Sequence, residues 1–509
     1  MGMKLSALRL WPAATSGLPR TMLPVPAVEA SVAWHQNTYR ARLVALFGIA
    51  LVGSVLLAAL ALLFNVISVV GLLIWIAVIA IAWRPFVGLC VAFGLVMLFE
   101  DGGPDLIMLP GYYLHWGLGA TLGIGVPLSP MELLLILTFA SWLAQGFMRH
   151  KLFFRGGSLG YPVLLFLLAL IAGVVRGIIG GADLNIALWE SRFLFYAVMC
   201  FTVAANTIRS RKQLTWLVMV TVIGTGLFAI EGAYRKLELI DTGKLGVIPD
   251  FAYSHMDVVF LGSVPLIVLA QWVFGARAWQ KWLGLLITPI CLFTLLATER
   301  RAGYIAVIIT FLAYGLIFLV THRKAFFFFF VPSIIAFAIY LPIFWNNTTM
   351  LGQPARAVRS LSQPDPRDAA SNLYRDLELI NVRSTIHSNP IVGVGFGRPF
   401  DFVVSLPDLS WWQFWHYEPH HNILWVWLKL GTAGFIIFWM LMAIATARSA
   451  YAVRTLRHSE QRIFALVALC AVVMTVSFCY VDLGLVSGRV TVFLGTALGA
   501  LSILHLLPD

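Results

Sequence analysis

Of the 509 residues, 60% are hydrophobic and only 11% are charged, so too few polar groups are present to cover a soluble protein of this size. The formal net charge of +12 is compatible with nucleic-acid binding, but a basic excess in a membrane protein more often reports orientation. Continuous apolar runs, long enough to cross a hydrocarbon core of about 30 Å, recur along nearly the whole chain. We therefore expect an all-α, polytopic protein of the lipid bilayer, with no nucleic-acid partner.

The N-terminal segment 1–42 contains no apolar stretch that resembles a signal-peptide core. It is basic, with Lys4, Arg9, Arg20 and Arg40, and we interpret it as a cytoplasmic tail. The hydrophobic runs that follow predict about fourteen spans. These spans are 43–63, 66–83, 86–99, 130–147, 161–177, 186–206, 214–231, 257–274, 282–297, 302–320, 326–345, 421–445, 463–480 and 487–507.

The spacing of the spans divides the chain into four parts. After the tail come a bundle of eleven spans (43–345), a large external loop (346–420) and three last spans (421–509). Residues 372–388 of the large loop have the spacing of an amphipathic helix. We therefore expect a transmembrane helical bundle with a partly helical cap between the eleventh and twelfth spans.

The charge distribution predicts the orientation of these spans. The short loops placed in the cytoplasm are basic and nearly free of acidic residues, as the positive-inside rule requires. Their basic residues are Arg84, Arg149, Lys151, Arg155, Arg209, Arg211, Lys212, Arg277, Lys281, Arg323, Lys324, Arg448, Arg454, Arg457 and Arg462. The longer segments 100–129, 232–256 and 346–420 lie on the other side and hold most of the acidic residues. We expect the functional site on that external face.

The cysteines give no sign of a metal site. All five lie inside apolar runs without metal-ligand spacing, which indicates ordinary packing rather than disulfides or metal binding. They are Cys90, Cys200, Cys291, Cys470 and Cys479.

Several arginines lie at or just inside the external ends of predicted spans. They are Arg176, Arg192, Arg300, Arg301 and Arg489, with Glu190, Glu299 and Asp257 near the same level. An ionisable residue within a span costs about 2.5–3.5 kcal/mol, so each needs a partner or a function. Internal ion pairs such as Arg192 with Glu190 or Arg301 with Glu299, or snorkelling, explain any one of them. Five at one depth favour an anion such as a lipid phosphate or pyrophosphate, which guanidinium groups bind in bidentate fashion.

An aromatic and polar stretch leads into the twelfth span. It contains Trp411, Trp412, Trp415, His416, Tyr417, His420, His421 and Asn422. The aromatic residues fit either an interfacial belt or a platform on which sugar rings stack. A neutral imidazole at this position is suited to general-base catalysis near neutral pH.

Three segments resemble those of the O-antigen ligase and O-antigen polymerase superfamily. The sequence His420-His421-Asn422, an apolar helix and then Gly431 to Gly434 is similar to the family's histidine signature. The segment Thr298 to Gly303 resembles its Thr-x-Ser-Arg-Gly motif, with Arg301 in the arginine position and Arg300 replacing the serine. Residues 389–397, downstream of Arg375, resemble the Asn-Pro-x-x-Gly-x-Gly-x-Gly stretch of its large loop. The segments follow the family's order between about 290 and 440, and Arg192 is similar to an earlier membrane arginine of the family.

The resemblance leaves the histidine open between two residues. In the family the histidine is usually followed by Asn, Ser or Gln, and nine residues then precede the first glycine. Asn422 follows His421 and slightly favours it, but this pair leaves eight residues before Gly431, and the usual spacing indicates His420. Family members also tend to have about twelve spans rather than fourteen.

The resemblance implies an inverting glycosyltransferase that needs no metal or other cofactor, in the bacterial inner membrane with its site facing the periplasm. Its donor would be a glycan on a polyprenyl pyrophosphate and its acceptor a hydroxyl of a glycan or of lipid A-core. The pyrophosphate would be bound by Arg301, Arg300, Arg192, Arg176 and Arg489. His421 or His420 would remove the acceptor proton. The residues expected to contact the acceptor or sugar are Trp411, Trp412, Trp415, Tyr417, Asn422 and Arg375.

Other functions stay open at this point. An O-antigen ligase or an exopolysaccharide polymerase is favoured over a protein O-oligosaccharyltransferase, because the large loop shows no evident peptide-docking feature. Intramembrane arginines also occur in secondary transporters and channels for anionic solutes, although no internal repeat is evident. The oligomeric state does not follow from the sequence.

Overall fold

The computed structural model describes Gly48 and residues 51–55, 66–99, 130–148, 154–240, 255–410 and 412–508. The tail 1–42, most of the first span, the segment 100–129 and residues 241–254 lie outside these ranges, as do Arg149, Lys151 and Trp411. The chain divides into two compact units, Met1–Ile79 and Ala80–Asp509. The described residues of the first unit are helical, and the site lies wholly in the second.

All the regular secondary structure in the described residues is helical, which confirms the predicted all-α class. In chain order the helices are α1 (Val66–Trp83), α2 (Pro85–Leu98), α3 (Pro130–Met148), α4 (Gly160–Ile179), α5 (Leu184–Thr207), α6 (Arg211–Tyr234), α7 (Asp257–Val273), α8 (Ala278–Ala297), α9 (Arg301–Thr321), α10 (Arg323–Phe344), α11 (Gln353–Arg359), α12 (Pro366–Ser388), α13 (Asn422–Thr455), α14 (Ser459–Cys479) and α15 (Gly488–Ile503). Every predicted span from 66–83 onward coincides with one of them.

Within the described ranges, ten helices are long and apolar enough to cross a membrane, and α2 and α7 are shorter apolar helices. The protein is therefore a multi-pass membrane protein. The helices α14 and α15 are the most deeply buried spans, whereas α10 is almost entirely exposed at the periphery. Close packing at the centre depends on small residues: a Cβ on Gly495 of α15 would lie 2.2 Å from the carbonyl oxygen of Ala197 in α5.

Side-chain contacts define two opposite ends of the bundle. One end, which we name the basic end, carries Arg155 and Arg462. Arg155 donates to the carbonyl oxygen of Leu506 at 3.1 Å, and Arg462 lies 2.6 Å from the ring of His322. The loop end is the end that carries residues 345–421. Helix α5 joins the two ends: Asp183, which caps its N-terminus, donates its N–H to the carbonyl oxygen of Gly397, and its last turn lies beside Arg155.

The glycine segment, residues 393–397, packs against the bundle between α4 and α13. Helix α13 is interrupted at Gly431, where φ is 66° and ψ is −175°, and the interruption frees two carbonyl groups. The hydrogen bonds that hold the segment are Val394 N to Leu428 O (2.8 Å), Gly395 N to Lys429 O (3.2 Å) and Phe396 N to Gly173 O (3.2 Å). Because buried backbone groups need partners, these bonds attach the large loop firmly to the bundle.

Candidate active site

Helix α12 is the element that brings the candidate site together. The sequence predicted an amphipathic helix over 372–388, and the structure extends it to the N-terminal side, to Pro366. Proline suits the first helical position, and the side chain of Asp365 accepts a hydrogen bond from the N–H of Asp368 at 2.9 Å. The prediction of a helical segment in the large loop is therefore confirmed.

Arg301 binds the N-terminal part of α12. Its Nε lies 3.4 Å from Oδ1 of Asp368, and its Nη2 donates to Oδ1 of Asn372 at 3.2 Å. Asp368 is shared with Arg356, which also pairs with Asp365 at 2.8 Å. The pairing of Arg301 with Glu299 that we considered from the sequence is therefore wrong. Residue 301 instead joins the start of α9 to the large loop.

His420 binds the same helix at a residue six positions beyond Asn372. Its backbone N–H donates to Oε2 of Glu378 at 2.8 Å, and its ring Nδ1 lies 3.2 Å from Oε1. The ring is also edge-on to Tyr374, with centroids 5.5 Å apart. Because Asn372 and Glu378 are six residues apart on α12, the two anchoring points are separated by about 9 Å along the helix. Arg301 and His420 thus lie at the same end of the bundle.

His421 has a different environment. Its Nδ1 accepts a hydrogen bond from the N–H of Leu424 at 3.2 Å and so caps the N-terminus of α13. The ring packs on Tyr480, with centroids 4.6 Å apart. Burial lowers the pKa of the His421 imidazole below its ordinary value, so the ring is neutral near pH 7.

A buried carboxylate, Asp482, lies at the centre of the basic groups. The loop between α14 and α15 carries it, and its Oδ2 is 2.9 Å from Nδ1 of His255 and 3.9 Å from Nη2 of Arg375. Burial alone would raise the pKa of Asp482, but the charges of His255, Arg375 and His420 outweigh it and lower the pKa well below its usual range. Arg300 also feels the charge of Asp482, and burial lowers the pKa of its guanidinium to about 10. Arg300 therefore stays protonated near neutral pH.

The remaining predicted arginines lie apart from Asp482. Arg192 stacks on Trp189, 3.4 Å from the ring centroid, and pairs with Glu132 at 3.3 Å; the pairing with Glu190 considered from the sequence is wrong. Arg176 lies in the last turn of α4, where its buried Nε has no hydrogen-bond partner among the described residues. Arg489 is almost fully buried, bound to Asp257 and to the carbonyl oxygen of Val96.

The salt bridge of Lys429 with Glu190 is completely buried, at 2.8 Å. Lys429 also donates to the carbonyl oxygen of Arg398 at 2.6 Å, and Glu190 accepts the N–H of Gly397. Burial, and then the charge of Glu190, raises the pKa of the neighbouring Glu418 carboxyl well above its usual range. The ion pair thus fixes the position of the backbone at Gly397 and Arg398, at the end of the glycine segment.

The aromatic stretch forms a small cluster next to His420. Trp412 lies 6.5 Å from the His420 ring, and Trp415 packs on His416 at 3.8 Å and on Phe402 at 5.8 Å. Tyr417 faces Nζ of Lys429 at 5.7 Å. Trp411 lies outside the described residues.

Asn422 is fully buried, and its side chain forms hydrogen bonds to the backbone of two other segments. Its side-chain amide group donates to the carbonyl oxygen of Pro419 at 3.1 Å, and its Oδ1 accepts the N–H of Leu485 at 2.8 Å. It ties the start of α13 to the loop before α15.

Three site residues were not identified from the sequence: Glu378, Asp482 and His255. Glu378 is a buried acid on a polar helix, and Asp482 is an acid in a short loop between two apolar spans. An acidic residue in that position is costly unless it is paired, which is the signal that indicates Asp482. Within the described ranges, no group of three or more His, Cys, Asp and Glu residues is placed to hold a metal ion.

Comparison with known proteins gives one match, over the part of the chain that carries most of these residues. No curated protein matches the chain. The sequence model of one family, described as O-antigen ligase, matches residues 286–439, which include Arg300, Arg301, Glu378 and His420. The match over residues 286–439 confirms the resemblance to the O-antigen ligase family that was inferred from the sequence motifs.

Proposed function

We propose that the loop end is the active site of an inverting glycosyltransferase that needs no metal. It moves a glycan from a polyprenyl pyrophosphate to an acceptor sugar hydroxyl on the periplasmic face of the inner membrane, as an O-antigen ligase or a polysaccharide polymerase. The observation that carries the proposal is the attachment of Arg301 and His420 to one helix, α12, about 9 Å apart along its axis. A cationic group and an imidazole are thereby attached to one helix at the same end of the bundle, which supports a shared site for one donor headgroup.

His420 is the proposed general base. Its Nδ1 faces the carboxylate of Glu378, so the neutral ring donates the Nδ1 proton there and keeps Nε2 free to accept the acceptor's proton. His421 is less suited, because its Nδ1 lone pair already accepts the N–H of Leu424 and its neutral ring carries the proton on Nε2. The hydrogen bonds therefore favour His420 over the residue that Asn422 favours in the sequence.

Arg300, Arg301 and Arg375 are proposed to bind the pyrophosphate. Arg375 has a buried Nε with no partner among the described residues, and its contact with Asp482 is long, at 3.9 Å. Arg301 interacts electrostatically with Arg375, and Arg300 with both Arg375 and Asp482. Guanidinium groups in fixed positions would stabilise the charge that develops as the pyrophosphate leaves. A single displacement with His420 as the base inverts the anomeric carbon.

Arg176 and Arg192 are proposed as outlying contacts of the same anion, because Arg176 lies in the last turn of α4 and Arg192 in the half of α5 nearer the loop end. We leave Arg489 out, since Asp257 already neutralises it in the bundle interior. For the acceptor, Trp412 provides an aromatic face beside His420 on which a sugar ring can stack, and Trp415 provides a second face next to His416.

The test is transfer in vitro by the purified protein in lipid nanodiscs, from a fluorescent polyprenyl-pyrophosphate oligosaccharide, in the presence of a metal chelator. Wild type should transfer the glycan and release the pyrophosphate carrier. His420→Ala should lose activity by about 100-fold or more, which is the contribution expected of a general base, whereas His421→Asn should keep most of it. No transfer by wild type to any glycan or lipid A-core acceptor, or transfer to a peptide acceptor alone, would contradict the proposed function. Full activity in His420→Ala would show that His420 is not the general base.

A further inference from the structure

A large cavity at the basic end takes no part in the proposed reaction. Its volume is about 1170 Å³, and it lies between the α1–α2 junction, the C-terminal part of α3 and the α5–α6 junction. Thr207, at the end of α5, is among its lining residues. Because α5 has 24 residues, this cavity is about 36 Å along the helix from the glycine segment. The two sites are therefore at opposite headgroup levels of a bilayer.

The charged residues that line the cavity are all basic. Arg84 and Arg209 are both exposed, and the lining contains no Asp or Glu within the described residues. Arg155 interacts with one of them: burial, and then the charge of Arg209, lowers the pKa of the Arg155 guanidinium. Like charges gathered without an acidic residue among the described lining indicate that an anion belongs there.

The other lining residues fit an amphiphile rather than a free ion. Trp83 and Trp216 are exposed by 47% and 65%, and indole rings of this kind favour the headgroup level of a membrane. The part of the wall that α2 forms is apolar and includes Cys90 and Val91. The polar amide groups of the lining form hydrogen bonds within the protein. For example, the side-chain amide of Gln145 donates to the carbonyl oxygen of Ala82 at 2.7 Å.

We propose that this cavity binds an anionic phospholipid of the leaflet at the basic end. The lipid phosphate pairs with Arg84 and Arg209, the indole rings lie at the glycerol level, and the acyl chains follow the apolar wall of α2. The volume exceeds what one phosphate group needs and suits a headgroup with the upper part of its chains. Basic pockets between membrane helices recognise anionic lipids by this combination of charge and apolar surface.

The test is lipid retention by the whole purified protein. The protein is equilibrated in nanodiscs that contain phosphatidylglycerol or cardiolipin mixed with phosphatidylcholine, extracted into detergent, and the bound lipid is measured by native mass spectrometry. Wild type should retain the anionic lipid over phosphatidylcholine. Removing one arginine should weaken retention about fivefold, and Arg84→Gln with Arg209→Gln about thirtyfold.

Two further variants separate a site from general basicity. Arg454→Gln with Arg457→Gln removes two exposed charges from the same end outside the cavity and should retain the lipid as wild type does. Val91→Trp places a larger side chain in the apolar part of the cavity and keeps both arginines. It should reduce retention of the anionic lipid. Equal losses in the two double variants, or no preference for anionic lipid in wild type, would overturn the proposal. Displacement of the lipid by millimolar inorganic phosphate would also overturn it, because the site would then recognise a free anion.

Discussion

The carboxylate of Glu378 binds His420 at two points, its backbone N–H at 2.8 Å and its ring Nδ1 at 3.2 Å. One acid therefore fixes both where the histidine lies and how its ring is turned. Glu378 belongs to the helix of the large loop, and His420 immediately precedes the capped start of α13. The position of α12 and the orientation of the proposed base are coupled through this one contact.

Glu378 is expected to act as a positioning residue. Glu378→Gln removes the negative charge that orients the ring and stabilises the imidazolium, while the side chain stays similar in size. We expect kcat for glycan transfer to fall about 100-fold with little change in KM. The matched control is Asp376→Asn, an exposed acid on the same helix, which should leave both constants unchanged. A rise in KM alone would indicate that Glu378 contributes to substrate binding instead.

Arg301 is expected to need its guanidinium geometry. Arg301→Ala removes a cation from the proposed pyrophosphate site and the contacts with Asp368 and Asn372, so transfer should be lost. Arg301→Lys keeps the charge but not the planar fork, and should restore only part of the activity. Arg454→Ala, at the basic end, is the control and should transfer normally. Wild-type turnover of Arg301→Ala would count against pyrophosphate binding by this residue.

The half-buried imidazole of His421 predicts a pH dependence of stability. Its folded-state pKa is lowered by burial, so the unfolded chain binds more protons at mildly acidic pH. The stability contributed by neutral His421 is complete above its unfolded pKa of about 6.5 and is lost as the pH falls below that value. His421→Asn keeps a capping acceptor but does not titrate. The drop in Tm between pH 7.5 and pH 5 should therefore be smaller in His421→Asn than in wild type; an equal drop would contradict the assignment.

The sequence was sufficient for the elements and for the residues that lie on family motifs. Long apolar runs set the helices, and the periodicity of 372–388 revealed α12. The partners were not predictable, because they come from distant segments: His255 and Asp482 are 227 residues apart, and Glu190 pairs with Lys429 rather than with its neighbour Arg192. Spacing along a chain shows which residues share a helix face, but it does not show which helices pack together.

The close packing of the glycine segment against α4 predicts that a larger residue at position 395 is destabilising. Gly395 has φ of 85°, and a Cβ there would lie 2.2 Å from the backbone nitrogen of Gly177 in α4. Gly395→Ala therefore combines the strain of a positive φ with a steric clash. It should lower the free energy of unfolding by about 1–3 kcal/mol more than the strain alone would.

The matched control for Gly395 is Gly181→Ala, with φ of 80° and nothing within 4 Å of the added Cβ. It should lose only about 1 kcal/mol. The measurement is thermal unfolding in detergent together with glycan transfer. Similar losses in the two variants would show that the segment has room to move away from α4.

The buried pair Lys429–Glu190 predicts a non-additive pair of substitutions. Lys429→Met leaves Glu190 as an unpaired carboxylate in the bundle interior and should destabilise the protein by about 3–5 kcal/mol. Adding Glu190→Gln removes that charge, keeps an acceptor for the N–H of Gly397, and should recover part of the loss. Recovery will be incomplete, because the carbonyl oxygen of Arg398 still lacks the donor that Lys429 supplied.

The double-mutant cycle is followed by Tm and by transfer activity. If the pair serves only to hold the glycine segment, activity per folded molecule should change little in the double variant, since neither residue contacts His420 or Arg301 directly. Additive losses in Tm would mean that the two charges do not depend on each other. The short distance between them would then say nothing about stability.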